Sequence, residues 1–101
     1  MKRGTTPTHT FTVDVDLTQC DVIFLTYKQG NNTIIERDIN NMTVTPDGIE
    51  VVLTQTETLA FNSAGKIEIQ IRAGYPNNGP RIASDILTIS PAGRILKDGE
   101  I

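Results

Sequence analysis

The chain has almost none of the residues from which catalytic and metal sites are assembled. Its 101 residues include one histidine, His9, one cysteine, Cys20, and no tryptophan. Acid or base catalysis needs a second titratable group held against the first. His9 instead sits in an arm of Thr5, Thr6, Thr8 and Thr10 and reads as a surface or edge-strand residue. Cys20 has no partner in the chain, which excludes an internal disulfide and suits a buried or idle thiol in a reducing compartment. Basic residues are also few, 9 Lys and Arg against 12 Asp and Glu, for a net charge of −3. Nothing then draws the chain to a phosphate backbone, so nucleic acid is not an expected partner.

Long apolar runs are missing too. No stretch has the length that spans a bilayer, so no membrane association is expected. Lys2 and Arg3 are not followed by the apolar region of a signal peptide, so synthesis in a cytoplasm is the expectation. Aromatic residues make up 5% of the chain, namely Phe11, Phe24, Tyr27, Phe61 and Tyr75. The core must therefore be aliphatic.

Familiar chemical motifs fare no better. Ser84, Asp85 and His9 supply the letters of a hydrolase triad, but no G-x-S-x-G elbow is present and Ser84 falls within a strand pattern. Asp14, Asp16 and Asp21 lack the ligand number and the glycine bend of a calcium loop and read as outward carboxylates. The expectation is a non-enzymatic chain with no catalytic residue, cofactor or metal.

What the chain does have is β-branching. Ile, Thr and Val account for 33 of the 101 residues, dispersed along the length. They are stiff at χ1 and fit the pleated surface of a sheet. Phe11, Val13, Val15 and Leu17 alternate with polar residues and predict a first strand with one buried face. VIFLTYK (22–28) is apolar on both faces and suits a central or covered strand. Gly30, Asn31 and Asn32 turn the chain into a hairpin with TIIER (33–37). Residues 38–41 read as a loop and 42–45 as a short strand, after which Pro46, Asp47 and Gly48 turn again. Ile49, Val51 and Leu53 predict the next strand.

Thr54 and Glu57 have the spacing of a capping box and predict one helical turn, with Leu59 and Phe61 tucked beneath the sheets. KIEIQIR (66–72) is the cleanest alternation, 74–80 is dense in turn formers, and IASDILTIS (82–90) predicts the last strand, ended by Pro91 and Gly93. About seven short strands spaced roughly ten residues apart, with one short helical turn, predict an all-β fold: an immunoglobulin-like antiparallel β-sandwich. A small Greek-key barrel has the same periodicity. At 101 residues one domain is expected, 1–93, able to bury roughly 65% of its unfolded surface.

The tail, 94–101, carries Ile95, Leu96 and Ile101. Each aliphatic side chain is worth about 1.5–3 kcal/mol when fully buried. The tail either folds back over an open end of its own sandwich or docks on a neighbour as an added strand.

The segments KRGTTPTHTF (2–11), LTYKQ (25–29), LTQTETLAF (53–61), IQIR (69–72) and ASDIL (83–87) together resemble a group of small proteins encoded in prophages and phages of Gram-positive bacteria. The likeness is one of pattern over most of the chain, with no catalytic signature. It implies a compact β-sandwich from the virion-structure region, a tail or baseplate component, made in the host bacterial cytoplasm and assembled into a virion. The absent chemical motifs, the two-faced 22–28 strand and the aliphatic tail make the expected partners a second copy of the chain, giving a homo-oligomer, and other virion proteins. The residues expected to make contact are Val22 and Phe24 on the outer face of their strand, with Ile95, Leu96 and Ile101. The alternative function is a carbohydrate-binding module, with Tyr75 as the aromatic platform on which a sugar ring would stack.

Overall fold

The structure is a computed structural model that describes residues 1–90, 93 and 95–101. Pro91, expected to end the last strand, and Arg94, the first tail residue, lie outside the described residues. Among the described residues eight strands form two antiparallel sheets. They are β1 (Thr8–Thr12), β2 (Val22–Gln29), β3 (Asn32–Asp38), β4 (Thr43–Thr45), β5 (Gly48–Val52), β6 (Ile67–Gly74), β7 (Arg81–Ala83) and β8 (Leu87–Ile89), with one helical turn, α1 (Gln55–Leu59), between β5 and β6. The smaller sheet runs β1-β5-β4. The larger runs β3-β2-β6, with β7 and β8 both pairing along the far side of β6. In immunoglobulin lettering these are B-E-D and C′-C-F-G, with β7 and β8 sharing the place of G. Among the described residues no strand occupies the place of A, outside β1.

Alternation explains the core. Ile23, Leu25 and Tyr27 of β2, Ile67, Ile69 and Ile71 of β6, and Ile49 and Val51 of β5 are buried between the sheets, joined by Leu53 and Phe61. Removing one such side chain, as in Ile69→Ala, should cost about 2–5 kcal/mol through lost burial and the cavity left behind. The β2–β3 reversal places Gly30 at φ +63°, the conformation a tight hairpin asks of its first turn residue. The capping box forms in full: Thr54 accepts from the Glu57 amide, and the Glu57 carboxylate accepts from the Thr54 amide at 2.8 Å.

Several boundaries differ from the sequence pattern. The first strand covers Thr8–Thr12, not 11–17, because Asp16 caps a 3-10 turn at Leu17–Gln19 by accepting from the Thr18 amide at 2.9 Å. Leu17 is buried from that turn, and Val15, expected on the buried face, is exposed. Asp16 is thus a capping residue, not simply a solvated carboxylate. The loop at 38–41 contains a second 3-10 turn, Ile39–Asn41, capped by Asp38. The last strand is split into β7 and β8, because Ser84 turns its side chain onto the ladder: the Ile71 amide donates to Ser84 Oγ at 3.0 Å, and Ser84 Oγ donates to the Asp85 carbonyl at 2.9 Å.

Candidate functional site

The expected contact residues fall into two groups with different neighbours. Val22 and Phe24 share the outer face of β2, where Phe24 stands between Asp38 of β3 and Arg72 of β6. Val22 is half-buried and Phe24 is 41% exposed. With Arg72, Arg81 and Ile82 they line a depression of about 220 Å³. Arg81 is held over Gly74 by donating to the Tyr75 and Gly79 carbonyls. This patch pairs an aromatic ring with two guanidinium groups.

The tail lies elsewhere, along α1 and the N-terminal arm. Asp98 meets Arg3 at 3.3 Å, Glu100 accepts from the Thr56 hydroxyl, and the Ile101 amide donates to the Gln55 side-chain oxygen at 3.0 Å. Ile95 is half-buried and packs close to Gly4, with Leu59 on the same spot. Leu96 and Ile101, by contrast, are 92% and 94% exposed. The folded-back arrangement thus serves Ile95 alone, and polar contacts hold a segment whose other aliphatic side chains stay in water.

Between the sheets, along the outer side of β1, runs a groove of about 710 Å³. Phe11, Val13 and Asp14 form one wall, Asp85 and Leu87 the other, and Ile71 lies at its base. Smaller recesses continue it toward His9 and Ile89 at one end and toward Val15 and Ile82 at the other. The hydrogen-bond phase of β1 follows from its flanks. The Leu53 amide donates to the Pro7 carbonyl at 2.9 Å and the Val13 amide to the Asp47 carbonyl at 2.8 Å. With the β1–β5 register, odd-numbered residues therefore bond to β5, and the amides and carbonyls of Thr8, Thr10 and Thr12 point to the groove side.

The chemically capable side chains are occupied structurally. His9 lies on an edge strand, as expected, but its ring is turned inward and stacks on Tyr27 with centroids 5.8 Å apart. The Tyr27 phenol, its pKa pushed up by burial, is hydrogen-bonded to His9 Nδ1 at 2.6 Å. Burial, helped by the N-terminal amine, lowers the His9 pKa and keeps the ring neutral near pH 7. Cys20 is buried and free, and burial raises its pKa although the nearby Tyr75 hydroxyl acts in the opposite direction. Tyr75 is half-buried against the core, its hydroxyl donating to the Asp16 carbonyl at 3.5 Å. Ser84 is spent on the backbone, and His9 is bonded to Tyr27, not to Asp85. Among the described residues no group of three or more His, Cys, Asp or Glu is placed to hold a metal ion, and no helix is long and apolar enough to cross a membrane.

No family model, curated protein or solved structure matches the chain. The groove along β1 is the feature that the sequence pattern does not reveal. Alternation assigns Phe11 and Val13 to the core, and they do pack against it, yet they also face an open seam. The signal present in the sequence is the uncharged run THTFT, unusual for an edge.

Proposed function

We propose that this protein is a non-enzymatic structural or adaptor component of a phage particle, a tail or baseplate protein that works by protein–protein association. The observation that carries this reading is the surplus of exposed aliphatic and aromatic surface. Leu96 and Ile101 on the tail, Phe24 on β2, Ile86 over the outer face of the larger sheet, and Leu87 at the seam are large apolar side chains that the core does not use. Exposed apolar surface gathered into patches marks association sites more often than single scattered residues do. The phage setting rests on the sequence resemblance alone.

The test is light scattering of the full chain at rising concentration, together with binding assays against the structural proteins of the genome that encodes it. Association with itself or with a virion protein is expected. A strict monomer that binds none of those proteins would overturn the reading. The carbohydrate-binding alternative is not favoured by the position of Tyr75, since a half-buried ring with an engaged hydroxyl presents little open face. Glycan-array binding lost in Tyr75→Ala would reinstate it.

A further inference from the structure

We infer that the groove along β1 is a strand-acceptor site, and that its occupant is the C-terminal tail, 95–101, of a second copy of this chain. The inference rests on the reading that the protein works by association, and it names the surface and the segment.

Edge strands normally carry a device against pairing: charge, proline, a bulge or extreme shortness. Every other edge among the described residues has one. β4 is three residues long and runs into Pro46. β3 carries Glu36, Arg37 and Asp38 and a register shift opposite Tyr27 and Lys28. β7 and β8 are three residues each, broken by Ser84 and Asp85. Within Thr8–Thr12 β1 has none of these, and Pro7 before it is turned to β5, not to the outer side. Its THTFT run is uncharged and regularly paired through five residues, and it directs the main-chain groups of Thr8, Thr10 and Thr12 outward. An immunoglobulin sandwich places its first strand at this edge. Because the other wall of the groove is formed by Ala83, Ser84, Asp85 and Leu87, at the outer edge of the larger sheet, the space admits one extended segment, not another sheet.

Charge selects the segment. Among the described residues, the only charged ones lining the groove are Asp14 and Asp85. In an extended tail alternate side chains face opposite ways, which puts Ile95, Lys97, Gly99 and Ile101 on one face and Leu96, Asp98 and Glu100 on the other. The first face is aliphatic at both ends with a single cation between, matching a groove of Phe11, Val13, Ile71 and Leu87 flanked by two carboxylates. The second face would keep both acids in water. The polar contacts that hold the tail to its own α1 are exposed ones, and such contacts contribute little, so release gives up chiefly the half-buried packing of Ile95 beside Leu59. Main-chain pairing then supplies affinity and the alternate side chains specificity, as in other strand-addition complexes.

The experiment is sedimentation velocity on the full chain across a wide concentration range, with amide hydrogen exchange read at Thr8, Thr10 and Thr12. The wild-type chain should associate, with exchange at those amides slowing as it does. Thr10→Pro removes an outward amide without touching the β5 ladder, and Lys97→Glu reverses the one cation. Either should weaken association by at least about tenfold. Combining Lys97→Glu with Asp14→Lys and Asp85→Lys should restore it. Association that survives both Thr10→Pro and Lys97→Glu would overturn the groove assignment and leave the reading of an association protein standing. A wild-type chain that stays monomeric, with exchange at the three amides independent of concentration, would overturn this assignment even if a virion protein were found to bind elsewhere.

Discussion

Replacing Glu57 tests how the two sheets are tied at the α1 end. Its carboxylate accepts from the Thr54 amide at 2.8 Å and from Arg37 Nε at 3.1 Å, with Arg37 Nη2 completing a two-pronged contact. Arg37 belongs to β3, and it also donates to the Val52 carbonyl at 3.0 Å and the Asn41 carbonyl at 3.1 Å. One ion pair therefore joins the larger sheet to the end of β5 and to the helix cap. The two side chains keep 16% and 25% of their exposure, so the pair is worth less than a fully desolvated one. Glu57→Gln keeps the capping geometry and loses the charge, which should cost about 1 kcal/mol. Glu57→Ala also loses the reciprocal half of the cap and should cost about 2–3 kcal/mol in total. In a domain of this length each kcal/mol lowers Tm by about 4–8 °C. Urea unfolding at pH 7 reads both values.

The pH dependence follows from the direction of the Glu57 shift. Burial alone would raise its pKa, but the hydrogen bonds from Arg37 and Thr54 and the Arg37 charge outweigh it and hold the folded value below 4.5. A depressed carboxylate stabilises the fold above its unfolded pKa and loses that contribution as pH falls through the folded value. The gap between wild type and Glu57→Gln should thus be full at pH 7 and close below pH 4.5. If both variants stay within about 0.5 kcal/mol of wild type at pH 7, the effect of an ordinary surface change, the ion pair does not tie the sheets.

His9 has a folded pKa below its usual 6.5, so the unfolded chain binds the extra proton first; stability should be full above pH 6.5 and decline as pH falls below it. Because His9 is the only histidine, urea midpoints between about pH 7 and 5 should fall in wild type and stay flat in His9→Gln. Gln29, buried, donates to the Asn62, Ala64 and Gly65 carbonyls and accepts from the Asn62 amide; Gln29→Leu should cost about 2–3 kcal/mol by leaving those groups unpaired and should speed hydrogen exchange at Asn62. An unchanged exchange rate would show that the 62–65 loop holds itself. Cys20, buried with its pKa raised, should react with a thiol reagent at least about tenfold more slowly in the native protein than in urea, and equal rates would place it at the surface.

Period-2 alternation makes most of the fold legible in the sequence, because a one-residue slip would carry Ile67, Ile69 and Ile71 from core to water. The turns are legible for the same kind of reason: Gly30 and Pro46 accept backbone angles that few other residues do, and the Thr54–Glu57 spacing satisfies two orphan amides at once. The pattern fails where a polar side chain bonds to the backbone and ends a ladder that the apolar residues would have continued. Asp16 stops the first strand early through Thr18, and Ser84 interrupts the last by taking the Ile71 amide. Neither event has a periodic signature, since both depend on one oxygen reaching one amide.

The site is legible in part for a different reason. Alternation says which face of a strand is apolar, but not how many strands lie beside it, and a side chain at a free edge obeys the same pattern as one in a closed core. Phe11 and Val13 therefore read as core, whereas the openness of the seam beside them is a property of sheet order: among the described strands β1 pairs with β5 alone. What distinguishes such an edge in sequence is the missing charge. Every described edge strand but β1 carries its own guard in charge, bulge or brevity, and the chain keeps Ile101, on the tail face that would enter the groove, in water. An unguarded edge and an uncovered apolar segment are each a liability for a protein that works alone. Their presence in one chain, with Lys97 on the tail and Asp14 and Asp85 at the groove, is what a chain that closes its sandwich with a neighbour's strand would require.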